Sequence, residues 1–103
     1  MLENFIKKDD TDSVKWGSPI EVEIRNRIKL SVAAYAYEYE NDSIMSDAEY
    51  DKKSLEIKPK LKTGYSRIDA FFKNNFDADT GVWIRKHPNL PRIKKIYNDY
   101  YKR

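Results

Sequence analysis

Residues 18–41 constrain this chain more than any other stretch. Ser18-Pro19-Ile20-Glu21 places a serine at an N-cap, a proline at the first helical position and a glutamate at N3. That is a capping box opened by proline. Ile20, Ile24, Ile28, Val32, Tyr35 and Tyr39 then recur at steps of four, four, four, three and four. The spacing draws one apolar stripe on a helix, and the alternation of a strand cannot reproduce it. A helix is predicted over about 18–41, ended by the turn formers Asn41-Asp42-Ser43.

A second capping box follows at once, with Ser46 as cap and Glu49 at N3. Asp47 and Glu49 in its first turn suit the helix dipole. The second helix is expected at about 46–57, with Ala48, Tyr50, Leu55 and Ile57 facing inward, and Lys58-Pro59 stopping it. After a basic loop to Gly64, residues 66–75 read as a third helix with Ile68, Phe71 and Phe72 inward. Val82-Trp83-Ile84 is a short apolar patch, extended or one helical turn, and Val82–Arg85 is the one place where a strand could hide. Asn89 caps a last helix through Tyr101, with Ile93, Ile96, Tyr97 and Tyr100 on its buried side. The expected fold is all-α: residues 1–17 form an irregular arm, with Phe5 or Trp16 as docking residues, and residues 18–103 form one helical domain.

A chain of 103 residues has room for one modest core and no second catalytic domain. With cysteine absent, disulfides are excluded. No signal-peptide pattern opens the chain and no apolar run approaches the roughly 20 residues of a membrane helix. The expectation is a cytoplasmic protein with no membrane partner. The net charge of +3 hides an asymmetry. Residues 1–51 hold twelve acidic and six basic side chains; residues 52–103 hold five and fourteen. Such a chain can present a basic face to nucleic acid or to an acidic protein. The blander reading, and the preferred one, is that the halves pack together and partly neutralise each other.

Ser46-Asp47-Ala48-Glu49-Tyr50-Asp51, with Tyr37-Glu38 at a fixed distance upstream, resembles the small N-terminal domain of NAD-dependent DNA ligases, often called domain Ia. In that family a Tyr-His pair precedes an Asp-x-x-Tyr-Asp group at this spacing. The resemblance covers about 24–57, a third of the chain. It implies that Tyr37, Glu38, Asp47, Tyr50 and Asp51 are the counterparts of residues that bind the nicotinamide mononucleotide half of NAD. Tyrosine offers a flat face to such a ring, and carboxylates accept from its carboxamide or favour its positive charge. This chain departs from the family at Glu38, where the family has histidine. A carboxylate there cannot donate to a phosphate and repels it, and one charge-assisted hydrogen bond is worth roughly 1.5–3 kcal/mol. Weak nicotinamide mononucleotide or NAD binding, or none, is expected. The alternative is that these residues serve only as a folding signature.

The family's catalytic lysine sits in Lys-x-Asp-Gly, which does not occur here, and the three glycines are isolated at 17, 64 and 81. The acidic residues around 38–51 match no calcium loop and read as a solvated face. His87, the sole histidine, reads as a loop residue before Pro88. The chain is therefore expected to be no enzyme. It is similar to the stand-alone, ligase-related small proteins of bacteriophages and prophages. That resemblance implies an accessory module modulating a host protein of DNA or NAD metabolism. The expected partner surface comprises Tyr35 and Tyr39, with Arg85, Lys86, Arg92, Lys94 and Lys95 steering an acidic protein. Two other readings stand beside it: a small nicotinamide-nucleotide binder, and a nucleic-acid accessory protein using basic residues interleaved with aromatics.

Overall fold

The Ser18 hydroxyl accepts the Glu21 N–H at 3.2 Å, and the Glu21 carboxylate accepts the Gly17 N–H at 2.8 Å. The first helix thus starts where its capping box places it, and a cap of this kind is worth about 1 kcal/mol. In the computed structural model, which describes residues 15–102, helix α1 runs Pro19–Tyr39. It is followed by α2 (Asp47–Glu56), α3 (Ser66–Asn75), a five-residue 3-10 helix (Val82–Lys86) and α4 (Leu90–Tyr100). The fold is all-α, and no strand occurs among the described residues. The segment that could have held a strand is the 3-10 helix, which buries Trp83 and Ile84.

Helix α1 ends in a left-handed turn. Asn41 adopts φ 51, and the N–H groups of Glu40 and Asp42 both donate to the Ala36 carbonyl. Asparagine tolerates that backbone better than other side-chain-bearing residues. The short turn then delivers Ser46, whose hydroxyl caps α2 by accepting the Glu49 N–H at 3.1 Å. The two helices pack against each other, and α4 and the 3-10 helix also pack on α1.

Being central, α1 is buried well beyond one stripe. Residues 30–36 are buried without a break, and Ala33, Ala34 and Ala36 let neighbouring elements approach closely. Ile24, Val32 and Tyr35 lie inside as expected, while Ile20 and Ile28 are half-buried. Tyr39, expected inward, is 49% exposed. In α2 the inward side is Tyr50, Ser54 and Ile57, one row at steps of four and three; Leu55 lies off that row and is 80% exposed, and Ala48 is also exposed. In α4, Ile93, Ile96 and Tyr97 are buried as expected, but Tyr100 is exposed and Tyr101 packs instead against the core.

Phe71 and Phe72 of α3 meet Trp83 at ring separations of 6.0 and 5.5 Å, and Phe76 joins them at 5.1 Å from Trp83. Trp16, expected to dock on the body, is 73% exposed and carries the Arg25 guanidinium over its ring at 4.3 Å. Phe5 lies outside the described residues. No helix of the described residues is long and apolar enough to cross a membrane.

Beneath the α2–α3 loop sits a buried ion network. Arg27 donates to Glu23 at 2.7 Å, to Asp69 at 2.9 Å, and to the carbonyls of Lys58 and Leu61 at 2.8 and 3.0 Å. Glu23 accepts the Lys58 N–H, and Asp69 accepts the N–H and hydroxyl of Thr63. Arg27 also lies over the Phe72 ring at 4.9 Å. Glu23 and Arg27 are each 2% exposed. This cluster pins the loop to α1 and α3 and satisfies its backbone away from water.

Candidate cleft at the junction of the first two helices

The geometry of the α1–α2 junction is local. Tyr37 projects from the last turn of α1, Asp47 and Tyr50 from the first turn of α2, and the turn between them is too short to separate the two ends. They line a cleft of about 140 Å³ together with Ala33, Ala34, Ser43, Ile44, Met45 and Gly81. A space of that order admits one six-membered ring or the tip of one long side chain, and falls short of the roughly 300 Å³ at which sites for larger ligands begin.

Each wall is held differently. Tyr37 forms the rim and is 70% exposed. Tyr50 is half-buried and donates its hydroxyl to the Thr80 carbonyl at 3.2 Å, tying α2 to the loop before the 3-10 helix. Burial raises the Tyr50 phenol above its ordinary pKa, and the carboxylates of Asp51 and Glu38 add to that shift. Ser43 and Met45 are fixed by a hydrogen bond of 2.9 Å from the Ser43 hydroxyl to the Met45 carbonyl. Gly81 closes the floor: a Cβ there would meet the Tyr50 hydroxyl oxygen at 3.3 Å and the Ala34 Cβ at 3.4 Å. Asp47 is exposed and has no ion pair among the described residues.

Of the five residues singled out by the ligase resemblance, Tyr37, Asp47 and Tyr50 line the cleft, while Glu38 and Asp51 do not. Glu38 turns toward the 3-10 helix, where Arg85 donates to its Oε1 through two nitrogens at 2.9 and 3.1 Å. The repulsion of a phosphate expected from Glu38 is therefore offset within the chain, because the pair carries no net charge. Asp51 is exposed.

The expected partner surface needs one correction. Tyr35 is 5% exposed and its hydroxyl is bonded to Glu40, so it belongs to the core and presents nothing to a partner. Burial and the Glu40 carboxylate together push its pKa well above the usual phenol range. Tyr39 stacks on it with ring centroids 5.3 Å apart and keeps its outer face in water. Lys86 and Lys94 are exposed, and Arg92 is half-buried. Arg85 is engaged by Glu38 and Lys95 by Asp99 at 2.7 Å. The ion pairs between the two halves of the sequence include Arg27–Asp69 and Arg85–Glu38. The halves pack together, as expected, through α1 against α4 and the 3-10 helix.

His87 lies in the loop before Pro88, as expected, but it is buried there. It is 7% exposed, packs edge-on against Phe71 at 5.1 Å, and accepts the Asn89 N–H through Nδ1 at 2.9 Å. Among the described residues no three His, Asp or Glu side chains come together as a metal site.

Sequence reasoning missed Gly81, Ile44, Met45 and the two alanines of the floor. Gly81 stood out only as an isolated glycine, and nothing near it in sequence announces a contact with Tyr50. No protein-family model matches the chain, and neither a search of curated proteins nor one of solved structures finds a match.

Proposed function

We propose that the chain is a non-catalytic recognition module that engages a partner protein through the mouth of the Tyr37–Asp47–Tyr50 cleft. The observation that carries this reading is the rim itself. Tyr37 stands 70% exposed beside a cavity lined with Ile44 and Met45, and an aromatic anchor next to a small pocket is the usual make-up of a binding hot spot. The basic surface is the weaker contact, since Arg85 and Lys95 already have carboxylate partners within the chain. A role as an accessory protein of phage or prophage origin, acting on a host protein of DNA or NAD metabolism, rests on the ligase resemblance alone.

The test is affinity capture with the tagged protein, wild type against Tyr37→Ala, read by mass spectrometry. Because Tyr37 is exposed, the variant should keep its helical circular dichroism and lose the captured partner at least tenfold. A partner held equally well by both proteins would sink the cleft reading. So would an absence of partners combined with retardation of nucleic acid at physiological salt.

A second reading is favoured by the size of the cleft. About 140 Å³ suits a single nicotinamide ring, and the Glu38–Arg85 pair removes the charge that opposed its phosphate. Chemical-shift titration with nicotinamide mononucleotide decides between the readings. Under the first it binds no better than millimolar; micromolar binding would give the site to the second.

A further inference from the structure

We infer that the cleft is a receptor for a cationic side chain, an arginine or lysine presented by the partner protein. This deepens the recognition-module reading and rests on it. Three features of the walls point the same way. Tyr37 and Tyr50 supply phenol rings, whose faces attract cations. Met45 supplies a polarisable thioether. Asp47 supplies a carboxylate that no cation of the described residues engages.

Charge selects among occupants of the right size. A neutral group seated over Asp47 takes water from a carboxylate and returns no charge, which is unfavourable. An anionic group meets Asp47 directly, and Asp51 lies near enough to Tyr50 to act on its hydroxyl. Glu38, though paired with Arg85, acts on the Tyr50 hydroxyl with the same sign as Asp51. An ammonium or guanidinium group compensates Asp47 and meets the two tyrosines of the lining. The volume fits the tip of one such side chain and little else, so binding strength must come from the surrounding segment.

The experiment uses the full chain and four probes: acetyl-arginine methylamide, acetyl-lysine methylamide, the neutral acetyl-norleucine methylamide, and nicotinamide. Amide chemical shifts are followed in each titration. The cationic probes should move Ala33, Ala34, Tyr37, Met45 and Gly81 with millimolar affinity, and the norleucine probe should bind at least fivefold more weakly. Asp47→Asn should weaken the cationic probes about two- to fivefold, the worth of one exposed ion pair. Gly81→Ala should abolish their binding by filling the floor. Gly81 sits at φ −107, which any residue adopts, and the new Cβ displaces the Tyr50 hydroxyl 3.3 Å away, so the variant is used once its circular dichroism matches wild type. Equal or tighter binding of norleucine or nicotinamide overturns the inference, as does cationic binding indifferent to Asp47→Asn, or no shift at the cleft. If the cations fail while Tyr37→Ala still releases the captured partner, the recognition reading survives and this inference alone falls. Self-association by sedimentation that disappears in Asp47→Asn would give the cleft to a lysine of a second copy and overturn the assignment to a separate partner.

Discussion

Arg27→Ala is expected to destabilise the protein by about 3–5 kcal/mol, the cost of leaving a buried ionic cluster without its cation. In a domain of this size that lowers the melting temperature by roughly 20 °C. Four hydrogen-bonded partners lose their donor at once: Glu23, Asp69 and the carbonyls of Lys58 and Leu61. Glu23 is almost fully buried, so its charge is left in a poorly solvating environment. The guanidinium over Phe72 is lost as well. Urea denaturation of wild type and variant at pH 7 measures the effect. Arg27→Ala with Glu23→Gln should recover part of the loss, because it removes the carboxylate that the first change orphans, although Gln must still accept the Lys58 N–H. A loss under 1 kcal/mol in Arg27→Ala would show that water reaches the cluster and that the loop is not held by it. The network lies well away from Tyr37 in sequence, at the opposite end of α1, so these variants separate stability from recognition.

The second large effect is a loss of stability in mild acid that depends on His87. In the unfolded chain its imidazole titrates near 6.5; in the fold, burial pushes it down to about 4. Below pH 6.5 the unfolded state takes a proton that the folded state refuses. Stability therefore falls as the pH drops from about 6.5 to about 4, and levels off beneath that, where both states are protonated. Above pH 6.5 the group is neutral in both states and contributes no slope. The span corresponds to about 3 kcal/mol at most. The position explains the shift. His87 accepts through Nδ1 from the Asn89 N–H, so its single proton sits on Nε2, and it lines a cavity of about 50 Å³ together with Phe72, Ile93 and the cationic Arg27. No carboxylate lines that cavity to stabilise an imidazolium. Carboxylates elsewhere titrate over part of the same range, so the measurement is the difference between wild type and His87→Asn at pH 7 and pH 4.5. The variant should show the shallower decline. Identical slopes would mean that the imidazole takes up its proton without unfolding.

How much of this was legible beforehand differs by kind of interaction. The ends of α1 and α2 were readable because a cap acts within one turn. Ser18 reaches Glu21 and Ser46 reaches Glu49, three residues apart, whatever the rest of the chain does. Two capped helices joined by a short turn also bring Tyr37, Asp47 and Tyr50 together, but the same reasoning extends to Asp51, which does not line the cleft. The Phe71-Phe72 pair and the Ile93, Ile96 and Tyr97 face of α4 followed from helical periodicity.

What lay beyond reading were the contacts between residues far apart in the chain. Tyr35 and Tyr39 share one stripe, yet only the arrival of α4 covers the first, with Tyr97 at 5.7 Å, while the second stays in water. Glu38 looked like an unopposed charge because Arg85, 47 residues away, has no local sign of its role. Nothing in the sequence marks Arg27, and its burial depends on the loop after α2 folding back over α1, where the Lys58 carbonyl accepts from Arg27 and the Lys58 N–H donates to Glu23. Gly81 gives the cleft its floor only because the 3-10 helix packs against α1 at Ala34. Helix periodicity states which residues share a face. Which faces are covered is settled when the elements pack, through dispersion, desolvation and charge pairing across tens of residues.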